Sequence, residues 1–289
     1  MSKTQKRLLY FGYFITVAAF SIYCLFPSDT IKDYIAFHLS KAKPDLNITI
    51  GHITPTFPPG LKLHAVTLSH LHHSLIDAEQ IKIIPGFLSL FRSKVTFLFK
   101  GSTHEGTIQG NVAITKSKSA RQVEIDAKLS GIQIKAIPAI LNLSGRRLSG
   151  ILDGNVSCKS NKKSGITGDI QLTLSDSKVD LLTPFFSLGS LAFRNIEADV
   201  VINNHQLRIK KCSIKGNKMD GSVAGVVTIK DPPAKSVLSL MGTIKLHQLF
   251  LAELGKNLPV NLFAKNKIGE SGFSFRMKGT LDHPSFSLK

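Results

Sequence analysis

Val123-Glu124-Ile125-Asp126-Ala127-Lys128-Leu129-Ser130 sets an apolar side chain at every second position and a charged or hydroxyl-bearing one between. A β-strand turns successive side chains to opposite faces, so this period of two describes a strand with one dry and one wet face. The same period runs outward in both directions. Upstream it recurs in Leu46, Ile48 and Ile50, in Leu61, Leu63 and Ala65, and in Val95, Phe97 and Phe99. Downstream it recurs in Ile170, Leu172 and Leu174, in Ile196, Ala198, Val200 and Ile202, in Leu207 and Ile209, in Val223, Val227 and Ile229, and in Phe273, Phe275 and Met277.

Turn chemistry separates these runs at short intervals. Thr54 to Gly60, Asn203-Asn204, Gly216-Asn217, Asp220-Gly221 and Asp231-Pro232-Pro233 are of the kind that joins neighbouring antiparallel strands, which predicts a meander. Short helices are expected at Ala136 to Leu143 and at Leu246 to Leu254, each after a strand and a glycine. Asp180 to Leu188, rich in aromatics, is expected to be an apolar loop covering one end of the sheet. The one-sided strands must bury their apolar face either against a second sheet, as a sandwich, or by curling into a trough with an apolar inside. Periodicity alone leaves those two open.

Only the N-terminal part departs from this period. Leu8 to Phe26 carries no charged residue, and about 20 apolar residues in a helix span the hydrocarbon core of a bilayer. Lys3, Lys6 and Arg7 precede it, and the positive-inside rule puts that end in the cytoplasm. A cleaved secretory signal would end in small residues of the A-x-A kind. Tyr23-Cys24-Leu25-Phe26-Pro27 offers none, so a retained anchor is expected. Next, Ile31, Tyr34, Ile35, His38 and Leu39 fall at helical spacing, predicting an amphipathic helix that starts at a Ser28 or Asp29 cap and packs on the first strands. The expected organisation is residues 1–7 in the cytoplasm, 8–26 across the membrane, 27–43 as the juxtamembrane helix and 44–289 as a β-rich domain outside the cytoplasm.

The 289 residues include 37 Lys and Arg against 19 Asp and Glu, a formal charge of +18. A basic exported chain is drawn to anionic surfaces such as lipid headgroups. Nucleic acid is not expected as a partner, because no nucleic-acid-binding motif occurs and the anchor points the domain outward.

Residues with reactive side chains form no catalytic pattern. His64, His70, His72 and His73 are the densest group, but neither C-x-x-C nor H-E-x-x-H occurs, so no metal site is expected. No G-x-S-x-G presents a serine. The glycines between Gly101 and Gly110 lack the G-K-[ST] ending of a phosphate loop and suit hairpins and bulges. Cys158 and Cys212 lie in the exported part, where pairing is permitted but not dictated by spacing. No enzymatic activity and no cofactor are expected.

Taken in order, several motifs resemble one family. The anchor is followed by Phe26-Pro27-Ser28-Asp29, then by Thr49-Ile50-Gly51-His52-Ile53 and Phe57-Pro58-Pro59-Gly60-Leu61-Lys62-Leu63. Leu148-Ser149-Gly150-Ile151-Leu152-Asp153-Gly154 comes later, and Gly279-Thr280-Leu281-Asp282-His283-Pro284-Ser285-Phe286 closes the chain. This series resembles the type II secretion system protein N family (GspN) in its long, single-anchor form, and the closing motif is shared with AsmA-like envelope proteins. The resemblance implies a single-pass protein of the bacterial inner membrane with a periplasmic β-domain. It further implies an accessory role beside other secretion-system proteins, without catalytic residues. The AsmA-like similarity implies a curved sheet whose apolar inner face holds lipid acyl chains, which favours the trough and gives lipid binding or transfer as the alternative function.

The residues of interest are therefore surfaces. Phe97, Phe99, Phe273 and Phe275 are expected to line the apolar face, either as plain core packing or as ligand contacts. Pro58, Pro59, Gly60, Gly279 and Pro284 are expected to shape turns through their backbone constraints.

Overall fold

The computed structural model describes residues 3–42, 45–70, 73–103, 105–116, 121–137, 148–161, 165–185, 188–248, 250 and 272–288. Two helices, α1 (Lys3–Cys24) and α2 (Ser28–Ala42), precede β1 (Leu46–Thr56), β2 (Gly60–His70), β3 (His73–Pro85) and the one-turn α3 (Phe87–Leu90). Then come β4 (Lys94–Thr103), β5 (Gly106–Lys116), β6 (Arg121–Gln133), β7 (Leu148–Asn161), β8 (Gly165–Phe185) and β9 (Leu188–Asn203). The chain closes with β10 (Gln206–Gly216), β11 (Met219–Thr228), β12 (Val237–Leu246), β13 (Phe273–Thr280) and β14 (Pro284–Leu288).

All fourteen strands form one antiparallel sheet in the order of the sequence. The expected meander is present, and a single sheet replaces the two sheets of a sandwich. At a strand spacing of about 4.8 Å, the thirteen steps from β1 to β14 give a path of about 60 Å along the sheet.

The register assigns every strand's faces, because directly paired residues project to the same side. Through the centre, Phe99 pairs with Gly110, Gly110 with Ala127, Ala127 with Val156, Val156 with Ile170 and Ile170 with Val200. Val200 pairs in turn with Ile209, Ile209 with Gly225, Gly225 with Leu240 and Leu240 with Met277. One face is thus apolar from end to end. The neighbouring positions Lys100, Gln109, Lys128, Asn155, Gln171 and Asp199 give the other face its polar, exposed character.

Full burial is confined mostly to the ends. At the first end, Ile50, Ile53, Leu63 and Val66 form a core covered by Phe26 and by Ile31 and Ile35 of α2. The helix docks on the first strands as its periodicity predicts. Ser28 does not act as a free cap: its Oγ accepts the Ile53 N–H at 2.9 Å, tying the helix start to β1. Lys32 bridges Asp29 at 2.6 Å and donates to the Gly51 carbonyl at 3.1 Å. At the other end Met219 and Phe250 are buried beside Leu191, Phe193, Ile244 and Leu246.

Several local expectations are corrected. Ala65 takes a left-handed φ of 50° and stands exposed, while Val66 enters the core. Gly51, Ala65 and Glu79, on three adjacent strands, are passed over in the ladder with the register unchanged, and the apolar face changes parity there, so that Val66 and Leu63 share one core. This is how Ile50 and Ile53, three residues apart, reach the same core. Of the loop expected from Asp180 to Leu188, Asp180 to Phe185 continues β8 and Leu188 opens β9, and residues 186–187 lie outside the described residues. Asp220-Gly221 lies inside β11, opposite Lys245 and Ile244, rather than in a turn. Ile134–Ala136 forms a 3-10 turn where a helix from Ala136 was expected, and residues 138–143 of that helix lie outside the described residues. Leu246 ends β12, and most of the helix expected from it to Leu254 also lies outside them.

The helix α1 covers residues 8–24 of the expected 8–26 anchor, and the side chains of residues 8, 15, 19 and 22 lie outside the described set. Among the described residues, no helix is long and apolar enough to cross a membrane.

Candidate functional site: the apolar face of the sheet

On the central strands the apolar face is sheltered but not sealed. Val112, Ala127, Val156, Ile170, Leu172, Val200 and Ile209 are all half-buried, and Ile125 is 38% exposed. A core residue in a packed sandwich touches side chains above it as well as beside it and loses nearly all its exposure. These residues have neighbours along and across the strands while keeping part of their surface accessible. The result is a continuous strip of branched aliphatic surface crossing the middle of the sheet.

The four candidate phenylalanines share this face but do not form one cluster. Phe97 and Phe99 stand on β4, and Phe273 and Phe275 stand on β13, with β5 to β12 between. Phe99 is opposite Gly110, Phe275 is opposite Gly242, and Phe193 on β9 is opposite Gly216. An aromatic ring laid over a cross-strand glycine covers the backbone that glycine leaves bare. A Cβ built on Gly242 would meet the Phe275 ring at 2.7 Å and the Ser222 carbonyl closer still. Phe275 is only 8% exposed and stacks on Phe286 with centroids 5.1 Å apart. The Phe275 ring therefore works as packing at the end of the sheet. The accessible surface is aliphatic and central, a feature obscured in the sequence because apolar residues alternate in the same way in strands at the ends and in the middle of the sheet.

The candidate turn residues fall at strand junctions. Pro58 and Pro59 lie between β1 and β2, with a cis peptide at Phe57-Pro58, and Gly60 opens β2. A Cβ on Gly60 would sit 2.5 Å from the Ile83 carbonyl, so the close approach of β3 excludes a side chain there. Gly279, with φ of 96°, pairs with Pro284 and begins the β13–β14 turn.

His64 stacks on His52 with centroids 4.2 Å apart and planes 6° from parallel, on the polar face, and its pKa is lowered by burial, then by His52 and Lys62. His70 and His73 pair at the β2–β3 junction, and His72 lies outside the described residues. Among the described residues no group of three His, Cys, Asp or Glu side chains is placed to hold a metal. Cys158 and Cys212 are free thiols on the apolar face, with β8 and β9 between their strands. Burial pushes both thiols up, and the Asp126 and Asp169 carboxylates add to the effect at Cys158.

No family model, no curated protein and no solved structure matches this chain.

Proposed function

We propose that the chain is a non-catalytic accessory protein of the bacterial envelope, of the type II secretion system protein N kind. In this reading α1 anchors it in the inner membrane and the sheet stands in the periplasm as a trough. The observation that carries it is the single open sheet with one apolar face, preceded by an apolar helix. A sheet of this many strands twists and coils rather than lying flat. Curling toward the apolar side accounts for side chains that are sheltered yet not buried.

The anchor reading draws support from α1 itself. Leu9, Phe11, Tyr13, Phe14, Val17 and Phe20 are exposed on successive sides of the helix, from 43% at Val17 to 72% at Tyr13. Apolar side chains exposed on several sides of one helix are accommodated by an apolar surrounding. A periplasm-active reporter fused after Lys43 is expected to be active outside the cytoplasm only, and activity inside would overturn the topology. For the accessory role, deletion of the gene is expected to reduce the set of secreted proteins. An unchanged secretome would defeat it.

The half-buried aliphatic strip favours a second reading, AsmA-like binding or transfer of lipid by its acyl chains. Each CH₂ of a chain buried on such a surface contributes about 0.8 kcal/mol, so a chain lying along the strip needs no specific polar contact. Mass spectrometry of the purified full chain is expected to find phospholipid. Its absence from protein extracted in the mildest detergent would remove this reading and leave the accessory role standing.

A further inference from the structure

Two hollows on the polar face differ in electrical character. The larger, about 750 Å³ across β4 to β8, mixes Lys100 and Lys128 with Asp126 and Asp169. The other, about 460 Å³ across β10 to β13, is lined by Lys210, Lys211 and Arg276 together with Ser222, Thr243 and Met241. None of its described lining residues is acidic.

A strand irregularity builds this cationic hollow. Between Ile209 and Cys212 the register of β10 shifts, so that Lys210 and Lys211 together oppose the single residue Ala224. Such a bulge re-aims side chains that regular alternation would send to opposite faces. Lys210 reaches Asp169 on the polar face at 3.6 Å, and Lys211 pairs with Asp199. Across the sheet from Ala224 come Met241 and then Arg276. Small residues form the floor, and the Ser222 and Thr243 hydroxyls, 2.8 Å apart, lie on one side. The next row adds Arg208 and Lys278. Met241 is 58% exposed, an apolar tip standing among the cations.

We propose that this hollow docks the phosphate headgroups of an anionic bilayer, at the end of the sheet farthest from α1. Charge complementarity selects an anion: three cations and two hydroxyls line the hollow, while Asp169, 3.6 Å from Lys210, and Asp199, opposite Lys211, stand outside the lining and offset only part of its charge. The exposed methionine and the width of the hollow suit an interfacial lipid surface rather than a small, fully enclosed ion. The site lies on the face opposite the aliphatic strip, so it stands or falls independently of acyl-chain binding.

The test is binding of the full chain, held in neutral-lipid nanodiscs, to vesicles of phosphatidylcholine with or without about one-third phosphatidylglycerol. Phosphatidylglycerol vesicles are expected to bind and neutral ones not to, with the difference shrinking as salt is raised. Lys210→Gln, Lys211→Gln and Arg276→Gln combined are expected to weaken binding on the order of 100-fold, from the attraction each cation contributes near an anionic surface. Removing three cations elsewhere on the same face, Lys62→Gln, Lys100→Gln and Lys128→Gln, should cost less than about fivefold, since their fields are screened over a Debye length. Ala224→Glu, which sets a carboxylate on the floor, should match the site triple variant. Equal loss in both triple variants would mean that net charge alone acts, and would overturn the site. Equal binding to neutral vesicles would overturn it too. Displacement of the vesicles by millimolar glycerol phosphate would assign the hollow to a free phosphate instead, and would likewise defeat the docking proposal.

Discussion

Val200 and Val201 are adjacent, chemically identical and half-buried, yet the sheet assigns them to opposite faces. Val200 is paired with Ile170 and Ile209, whereas Val201 is paired with Asp169 and Arg208. Introducing Asp at each position separates the faces. At 200 the half-buried valine surface is lost, about 1 kcal/mol, and a carboxylate without a partner is set on an aliphatic strip, about 1–3 kcal/mol more. At 201 the new carboxylate gains Arg208 and meets Asp169, so the net change is about 0.5 kcal/mol or less. For a domain of this size each kcal/mol moves the melting temperature by about 2–4 °C. Val200→Asp should therefore melt roughly 4–16 °C lower, followed by circular dichroism of the full chain in detergent, and Val201→Asp within about 2 °C of the parent. If acyl chains lie on the strip, Val200→Asp should also lose most of the copurifying lipid while Val201→Asp retains it. Equal destabilisation by the two substitutions would refute the assignment of faces and, with it, the one-sided sheet.

Other consequences are local. Phe275→Ala should cost about 3–4 kcal/mol, read as accelerated hydrogen exchange of β12, β13 and β14 amides with β1 to β10 unchanged, whereas Phe286→Ala, from a half-exposed ring, should cost less than half as much. Exchange that stays within threefold of the parent in Phe275→Ala would contradict the packing of that ring. Cys158 and Cys212 should alkylate slowly at neutral pH, because burial holds both as thiols, and reductant should leave the melting temperature unchanged; a disulfide-linked peptide in the mass spectrum would disprove their separation. Asp220 has its carboxyl held below the ordinary range: burial acts to raise it but is outweighed by His247, the Gly216 amide and Arg194. A folded pKa below the unfolded one means its contribution is present above about pH 4 and is lost as pH falls through the folded value. Asp220→Asn should accordingly flatten the acid limb of β10–β11 amide protection, and an unaltered limb would show that the His247 contact at 3.2 Å does not hold this end.

Most of the architecture was legible from residues in order. Alternation fixed the strands, because the period of two is a property of the local backbone. Asn203-Asn204 and Pro58-Pro59-Gly60 marked turns through backbone constraints that are equally local, and the spacing of Ile31 and Ile35 foretold the docking of α2. The candidate phenylalanines were legible as members of one face but not as two remote groups, since distance across a sheet depends on how many strands intervene.

What only the tertiary structure decided concerns events that need a neighbouring strand. That all strands join one sheet, that Val66 displaces Ala65 from the core, and that β8 runs on to Phe185 each depend on a ladder partner distant in sequence. The bulge that gathers Lys210 and Lys211 against Ala224 is of the same kind. A bulge is one extra residue counted against a partner, and a single strand holds no record of that count. The sequence alone thus determined a meander of one-sided strands behind an apolar helix. The hydrogen-bonded register decided which surfaces those strands present together, an aliphatic strip on one side and a cationic hollow on the other.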